Sequence, residues 1–169
     1  MSFYFNIILL IDGFYVIIRN MSLPQEKLKQ FLLDTTIRDV MVSPVITVKE
    51  TDDFALVQEK IALYDVRHLP VVNDAGNLVG IITQRDLYQI HSPRRLESGG
   101  WYYDREALSQ FLIAKVMVQD PFTMKADDKL YHAIEATVRF KFGCIPIIDD
   151  YRKPCGILTR DTILKFLIA

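Results

Sequence analysis

The sequence has few of the residues that build metal sites or disulfide networks, since its 169 residues include only two cysteines and three histidines. These five residues, Cys144, Cys155, His68, His91 and His132, are too scattered to form a structural metal framework. We read both cysteines as reduced thiols of a cytoplasmic protein. A disulfide between the two cysteines across a hairpin remains open as the alternative.

The sequence also lacks an excess of either charge, because 20 basic residues oppose 21 acidic ones and the formal net charge is -1. This balance gives no overall attraction to nucleic acid or to an anionic membrane. A composition of 50% apolar and 24% charged residues is typical of a globular domain. We therefore predict no nucleic-acid partner.

The longest apolar run, residues 3–18, is shorter than the ~20 apolar residues of a membrane span and is interrupted by Asp12-Gly13. The first basic residue follows the run, whereas a signal peptide begins with basic residues. Asp-Gly between two β-rich segments favours a hairpin within an N-terminal extension, residues 1–22. Because both faces are apolar, we expect the hairpin to pack on the protein or on another copy. The alternative is that Met21 is the natural start and residues 1–20 are read-through.

What the sequence does contain is an internal duplication. Residues 40–90 align with residues 116–166 at a constant offset of 76, and twelve of the 51 pairs are identical. Chance would give about three identities for average amino-acid usage. A helix at residues 25–33 precedes the first copy, and similar residues precede the second copy. The chain is therefore built from two related units.

Each copy predicts the order strand, helix, strand, strand, helix, which gives a mixed α/β (α+β) fold. The first strand is predicted at residues 45–48 and 121–124, which are rich in β-formers. The next helix is predicted to begin at Thr51 or Asp52 in the first copy and at Asp127 or Asp128 in the second. Its buried face is predicted to contain Phe54, Val57, Ile61 and Tyr64 in the first copy, and Leu130, Ile134 and Val138 in the second.

We predict that the repeats cover residues 23–90 and 103–169. Residues 91–102 between them include a proline, two arginines and two consecutive glycines. Such a composition is typical of an exposed loop with a mobile tip.

The third strand of the first copy ends in Thr83, and Asp86 follows three residues later at a predicted helix start. Such an arrangement presents backbone N–H groups, a hydroxyl and a carboxylate to one small space, which suits a phosphorylated ligand containing ribose. The same two residues also fit a capping box, in which they only satisfy the N–H groups of their own helix. The two interpretations remain open at this point.

Several motifs occur in order in the first copy: Val-Met, then Val-Arg-His-Leu-Pro-Val-Val, then Gly-Ile-Ile-Thr-x-x-Asp. Related segments recur in the second copy at the same spacing, as Val-Met, Phe-Gly-Cys-Ile-Pro-Ile-Ile and Gly-Ile-Leu-Thr. In this order they resemble a tandem pair of cystathionine β-synthase (CBS) domains, a Bateman module, over residues 24–169. The long insertion between the copies is similar to that of the acetoin-utilisation regulatory type, without its C-terminal amino-acid-sensing domain. The resemblance implies two repeats related by a pseudo-twofold axis, ligand clefts between them, and a homodimer. It also implies a ligand such as AMP, ADP, ATP or S-adenosylmethionine, and no required cofactor.

The resemblance assigns nucleotide-binding roles to residues of the first repeat. Asp86 would accept hydrogen bonds from the ribose hydroxyls, and Thr83 would hold a phosphate or ribose oxygen. Three cationic side chains, Arg67, His68 and Arg85, would reach phosphate, although an exposed strand edge explains the first two equally well. Val45, Ile46 and Thr47 would flank the base, but core packing is the simpler explanation for Val45 and Ile46.

The second repeat departs from this pattern. Thr162 stands in place of Asp86, and Gly143 and Cys144 stand in place of Arg67 and His68. The corresponding second site, with Thr159 and Phe122, therefore lacks both the ribose carboxylate and the phosphate cations. We predict one competent nucleotide site per chain and a second site that is weak or empty.

These observations favour a non-catalytic regulator that binds an adenine nucleotide and signals to an unidentified protein partner. One alternative is a structural or interaction protein whose Thr-x-x-Asp is only a helix cap, and another is a protein that binds S-adenosylmethionine. We find no Ser-His-Asp, Cys-His or Walker motif in a convincing context, so we do not predict an enzyme.

Overall fold

The computed structural model describes residues 7–11, 14–18, 25–90, 94–95, 97–99 and 101–168, with backbone alone for the two N-terminal strands. Those strands, β1 (Ile7–Ile11) and β2 (Phe14–Ile18), pair in antiparallel register, which confirms the predicted hairpin. Asp12, Gly13 and Met21 lie outside the described residues. Among the helices that the structure describes, none is both long and apolar enough to cross a bilayer.

The first repeat follows the predicted order of elements. Its leading segment is a helix followed by a 3₁₀ turn, and a strand, a helix, two strands and a helix come after it. The elements are α1 (Gln25–Asp34), the 3₁₀ turn Ile37–Asp39, β3 (Val48–Lys49), α2 (Phe54–Tyr64), β4 (His68–Val72), β5 (Leu78–Thr83) and α3 (Gln84–Ile90).

The second repeat has the same order, which confirms the mixed α/β class and the duplication. Its elements are α4 (Arg105–Ser109), the 3₁₀ turn Ile113–Lys115, β8 (Val118–Gln119), α5 (Leu130–Phe140), β9 (Cys144–Ile148), β10 (Pro154–Thr159) and α6 (Arg160–Ile168). Between the repeats, where we predicted a loop, β6 (Arg94–Arg95) pairs with β7 (Trp101–Tyr102).

The first strand of each repeat differs from the prediction. In the first repeat only Val48 of residues 45–48 belongs to a strand, because β3 starts there and pairs with β4 for two residues. In the second repeat only Met124 of residues 121–124 pairs, through a single parallel bridge to Ile147. β-Propensity located these segments, but pairing with a neighbouring strand decides their length.

The predicted helix caps were wrong in both repeats. In the first repeat Asp53 is the N-cap, and its side chain accepts a hydrogen bond from Leu56 N at 3.0 Å. Asp52 instead accepts from Lys49 N at 2.8 Å and closes the preceding turn. In the second repeat the N-cap is Lys129, whose side chain makes no capping bond. Two consecutive aspartates precede each helix, so the sequence alone does not show which residue is the N-cap. In the structure the hydrogen bonds of the preceding turn use Asp52 and Asp128, so each helix begins one residue later.

The predicted buried face of α5 was also partly wrong. Leu130 is fully buried, but Val138 is 67% exposed and the other buried positions are Ala133 and Ala136. In α2 the prediction holds for Phe54, Val57 and Ile61, whereas Tyr64 is 49% exposed. Small alanine side chains let α5 lie close to the core, so that the larger Val138 is left on the outer face.

The leading segment of each repeat pairs with the sheet of the other repeat. β8 of the second repeat adds to the antiparallel β4–β5 hairpin of the first, completing a four-stranded sheet in the order β3-β4-β5-β8. In the same way, Val42 of the first repeat forms an antiparallel bridge with Ile157 of β10. The two repeats are therefore joined by reciprocal strand pairing.

The two hydrophobic cores show the same exchange. Leu32 and Ile37, in the leading segment of the first repeat, lie in a core otherwise formed mainly by α5, β9, β10 and α6. Leu108 and Ile113, in the leading segment of the second repeat, lie in the core of α2, β4, β5 and α3. Neither core is complete without residues from the other half of the chain.

Candidate functional site

The predicted site residues of the first repeat lie where the β4–β5 hairpin ends. His68 pairs with Thr83 in the last step of the ladder, and Gln84 N donates to Arg67 O at 2.9 Å just beyond it. Asp86 follows in the first turn of α3. The hairpin therefore brings Arg67, His68, Thr83 and Asp86 to one end of the sheet.

Asp86 makes the bonds that the capping interpretation predicts. Its Oδ2 accepts from Thr83 N at 2.7 Å and from Thr83 Oγ1 at 2.8 Å. The side chain is half-buried, and in the part of the chain described here its Oδ1 accepts no hydrogen bond. One carboxylate oxygen therefore holds the helix start, and the other is available to a ligand.

An identical arrangement occurs elsewhere in the chain. Asp39 Oδ2 accepts from Thr36 N at 2.9 Å and from Thr36 Oγ1 at 2.7 Å, at a 3₁₀ turn near the start of the first repeat. The two bonds hold the pKa of Asp39 below its ordinary value. Hydrogen bonds within Thr-x-x-Asp are therefore no evidence for a site, and only the surroundings distinguish Asp86 from Asp39.

The surroundings of Asp86 are cationic. His68 is half-buried, and burial is the largest effect that lowers its pKa. The nearby positive charges of Arg67, Arg160 and Arg85 lower the pKa further, whereas the carboxylate of Asp86 raises it. Arg67 and Arg85 are exposed. Among the described residues none of these three arginines forms an ion pair within 4.0 Å.

The two repeats meet at His68. A Cβ atom placed on Gly143 of the second repeat would lie 3.1 Å from the Nε2 atom of His68. Gly143 directly precedes β9, and its carbonyl accepts from Arg160 N at 3.3 Å. The strand ends of both repeats therefore come together beside the imidazole.

Arg160 also lies at this junction, and the sequence did not predict it. It directly follows Thr159 and stands at the position of Gln84 in the first repeat. Its guanidinium donates to two backbone carbonyls, from Nε to Phe142 O at 2.9 Å and from Nη2 to Lys141 O at 3.2 Å. Alignment of the two copies does not point to Arg160, because the equivalent residue of the first copy, Gln84, carries no charge.

The predicted base-flanking residues have a different set of contacts. Ile46 is partly buried and packs against the core of α2, β4, β5 and α3. Thr47 O accepts from Lys60 Nζ at 2.6 Å, and Val45 is half-buried. These contacts fit the core-packing interpretation, and the role of all three residues beside a base stays a prediction.

The strand end of the second repeat is closed by its own hydroxyl groups. Thr159 N donates to Thr162 Oγ1 at 2.9 Å, Thr162 N donates to Thr159 Oγ1 at 3.1 Å, and Thr162 Oγ1 donates to Thr159 O at 2.8 Å. Cys144 pairs with Thr159 across the hairpin, and burial raises the pKa of its thiol to about 12, against the influence of Arg160. A buried thiol of this kind remains protonated and unreactive.

Phe122, the remaining residue of the predicted second site, belongs to an aromatic cluster. Its ring stacks on Phe142 with 5.3 Å between centroids, and Phe142 stacks on Phe140 at 5.4 Å. Asp161, the only acidic residue near Thr162 in sequence, pairs with Lys165 at 2.8 Å one turn along α6. The described contacts of Asp161 are thus directed along its helix.

A separate cleft lies at the other end of β5. It has a volume of about 480 Å³, and its lining includes Leu78, Val79, Asn73, Asp120 and Arg152. At about 3.3 Å per residue, Leu78 and Val79 lie about 13–17 Å along β5 from Thr83. The cleft is therefore distinct from the strand end that contains the predicted site.

Comparison with known proteins gives the family. The sequence model of the CBS domain matches residues 37–91 and 113–169. The inosine-5'-monophosphate dehydrogenase of Methanocaldococcus jannaschii is 30% identical over 155 residues, which are 92% of this chain and 28% of that protein. The chain spans about a quarter of the length of the curated relatives that it matches.

Several solved structures share the fold of this chain at low sequence identity. The CBS domain pair of protein MJ0100, in complex with 5'-methylthioadenosine and S-adenosyl-L-methionine, has a TM-score of 0.65 at 24% identity, covering 79% of this chain and 95% of that one. A putative acetoin utilization protein (AcuB) from Vibrio cholerae has a TM-score of 0.65 at 22% identity, covering 79% and 90%. CBSX2 in complex with AMP has a TM-score of 0.64 at 23% identity, covering 79% and 96%.

The resemblance predicted from sequence is confirmed by these matches. The two matched segments correspond to the two copies that align at an offset of 76, and together they cover more than half of the chain. Each copy has the strand, helix, strand, strand, helix order of the structure. This protein therefore belongs to the CBS domain family, as a tandem pair of CBS domains.

Proposed function

We propose that this CBS pair is a non-catalytic regulatory module that binds one adenine nucleotide, AMP, ADP or ATP, at the strand end beside Asp86 and signals to a partner protein. The observation that supports the proposal is the environment of Asp86. Its Oδ1 is open to a ribose diol, and three guanidinium groups lie near the adjacent imidazole of His68. Asp39 has the same hydrogen bonds, but the cations that act on it are Arg38, which is paired with Asp127, and Lys129.

The neighbouring structures support the same class of ligand. CBSX2 was solved with AMP, and the CBS pair of MJ0100 with 5'-methylthioadenosine and S-adenosyl-L-methionine, all of which contain adenosine. In our proposal Asp86 accepts from the ribose hydroxyls of the nucleotide, and Thr83, Arg67 and Arg85 hold its phosphate. The base lies against Val45, Ile46 and Thr47.

Signalling follows from where the site lies. His68 and Gly143 join the two repeats beside the proposed ligand, so occupancy changes the contact between the repeats. A ligand that binds one relative orientation better shifts the population toward it, and a partner that reads that orientation is coupled to the ligand.

We also propose that the module is a homodimer. Tyr64 and Phe140 end the equivalent helices α2 and α5 and are 49% and 53% exposed, and Val138 beside Phe140 is 67% exposed. Two equivalent helices with exposed apolar ends suit a symmetric contact between copies. Native mass spectrometry of protein purified from its own host would report the oligomeric state together with any bound ligand.

The test of nucleotide binding compares Asp86→Ala with Asp39→Ala by isothermal titration with AMP, ADP and ATP. Both variants lose the same two hydrogen bonds, so both should lose about 1 kcal/mol of stability. Only Asp86→Ala should weaken nucleotide binding, by at least about tenfold. The wild-type protein should bind about one nucleotide per chain, because the second strand end lacks the carboxylate.

The rival proposal is a structural CBS pair in which Asp86 is only a cap, and the geometry shared with Asp39 favours it. A ligand at 100 times its dissociation constant adds about 2.7 kcal/mol to the stability of the folded state. Absence of a thermal shift with every adenosine compound would establish the structural alternative. Equal binding by both variants would remove Asp86 from the site.

A further inference from the structure

The cations near His68 come from both repeats, and this bears on the kind of nucleotide that the site holds. Arg67 and Arg85 belong to the first repeat, and Arg160 belongs to the second. The contact between Gly143 and His68 brings the two strand ends together. Because the inference concerns the ligand of the same site, it rests on the proposed function.

Arg160 is held in place before any ligand binds. Two of the five guanidinium N–H groups donate to the carbonyls of Phe142 and Lys141, at 2.9 and 3.2 Å. The side chain is half-buried, and within the described residues its other N–H groups have no hydrogen-bond partner. A fixed guanidinium with unused donors binds an oxygen anion with little further loss of conformational freedom.

The charges at the strand ends do not balance without a ligand. Three guanidinium groups and one carboxylate, that of Asp86, act on His68, whose lowered pKa keeps it neutral at neutral pH. Asp161, at the strand end of the second repeat, is already paired with Lys165. Arg160 N donates to Gly143 O at 3.3 Å, and a Cβ atom on Gly143 would lie 3.1 Å from His68 Nε2, so Arg160 stands at the junction beside the imidazole. The charges of Arg67, Arg160 and Arg85 all lower the pKa of His68. A cationic ligand is therefore disfavoured, and an anion with several charges is favoured.

We infer that the ligand of this site is an adenine nucleotide with two or more phosphates, whose distal phosphate reaches across the junction of the repeats to Arg160. The first phosphate lies near Arg67 and Arg85, next to the ribose at Asp86. Bidentate guanidinium contacts suit the distal phosphate oxygens. S-adenosylmethionine, whose sulfonium is positive, is disfavoured by the same charges. Arg160 is in this view a specificity-determining residue supplied by the second repeat.

The experiment compares adenosine, AMP, ADP, ATP and S-adenosylmethionine by isothermal titration without Mg²⁺, using the full chain. We expect ATP or ADP to bind at least about tenfold more tightly than AMP, since charge-assisted bonds to the distal phosphates are added. S-adenosylmethionine should bind more weakly than AMP. The preference for ATP should decrease as salt concentration rises.

The matched variant is Arg160→Gln, because glutamine is the residue that the first repeat has at this position, Gln84. We expect it to reduce the preference for ATP over AMP by about tenfold while leaving AMP affinity nearly unchanged. Arg160→Lys keeps the charge and should keep most of the preference. Arg139→Gln, at an exposed arginine beside Phe140, is the control for a general loss of positive charge.

The outcomes separate this inference from the proposed function. Tight AMP binding with no gain for ATP would overturn the polyphosphate inference and leave nucleotide binding intact. An equal loss of AMP and ATP affinity in Arg160→Gln would overturn the assignment of Arg160 to the distal phosphate. A protein that binds none of the five compounds would overturn the proposed function itself. Melting temperatures without ligand identify any variant that fails to fold.

Discussion

Asp53 and Lys129 occupy the same position in the two repeats, but only Asp53 caps the helix that follows it. The carboxylate of Asp53 accepts from Leu56 N at 3.0 Å, whereas Lys129 makes no capping bond at the start of α5. Both residues have the extended backbone of an N-cap. The duplication therefore contains its own comparison between a capped and an uncapped helix.

We predict that Asp53→Ala destabilises the protein by about 0.5–2 kcal/mol, and that Lys129→Ser stabilises it by a comparable amount. Serine supplies the missing oxygen without adding a carboxylate next to Asp127 and Asp128. Chemical denaturation of both variants measures the change. No gain from Lys129→Ser would mean that the N–H groups of α5 are already satisfied.

A second prediction concerns the separate repeats. Because the core of the first repeat needs Leu108 and Ile113, a fragment of residues 23–90 lacks two fully buried side chains and exposes Leu32 and Ile37 instead. Loss of one buried leucine or isoleucine costs about 2–5 kcal/mol, and small domains have only about 5–15 kcal/mol in total. The fragment alone should therefore be unfolded by circular dichroism.

Complementation supplies the control for that experiment. Fragments 23–97 and 98–169, cut in the turn between β6 and β7, together contain both cores. Mixed in equal amounts they should form a folded complex with cooperative melting. If residues 23–90 melt cooperatively alone, the exchanged segments do not stabilise the cores as the structure implies.

The sequence predicted the elements better than it predicted their partners. The offset of 76 placed β4, β5, β9 and β10, and the N-terminal hairpin followed from its turn residues. The exchange of leading segments was not predictable, because Val42 and Val118 have the same local pattern whichever repeat they pair with. Only long-range contacts, such as Val42 with Ile157, decide between the two arrangements.

The candidate site shows the same limit. Thr83, His68 and Asp86 were predictable because a hairpin of known register places them together. Arg160 was not, because its importance arises from a contact between repeats, next to Gly143 and His68. Alignment of the two copies identifies equivalent residues. The candidate site instead combines Arg160 of one copy with His68 and Asp86 of the other, which are not its equivalents.

A third prediction concerns the two glycines at the exchanged strands. A Cβ on Gly80 would lie 2.9 Å from Met117 Cγ and 3.1 Å from Val118 O, and one on Gly156 would lie 2.5 Å from Met41 Sδ. Gly80→Ala should therefore destabilise the protein by about 1–3 kcal/mol. Adding Met117→Ala makes room for the new methyl group, so the double variant should lose less than the sum of the two single changes. If the changes in unfolding free energy simply add in chemical denaturation, the side chain of Met117 does not oppose the new methyl group.

The fourth prediction concerns stability and pH. Burial and the charges of Arg67, Arg160 and Arg85 lower the pKa of His68 below its ordinary value of 6.5, and only Asp86 opposes them. As pH falls through about 6.5, the unfolded chain takes up this proton before the folded chain does. The stability contribution is therefore present above that pH and is lost as pH falls toward the lowered pKa. Urea midpoints between pH 7.5 and 5 should decrease in the wild-type protein and decrease less in His68→Gln, with His132→Gln, at an exposed histidine, as the control.

The same histidine connects pH to ligand binding. Phosphates placed among the three arginines would cancel part of the positive charge that lowers the pKa of His68, so the pKa should rise on binding. Nucleotide binding near pH 6 is then accompanied by proton uptake, and affinity should increase as pH falls from 7.5 to 6. Titration calorimetry in buffers of different ionisation enthalpy measures the protons taken up. Uptake that persists unchanged in His68→Gln would assign the proton to another group of the protein, because the arginines favour the ionised phosphate, and would separate His68 from the phosphate contacts.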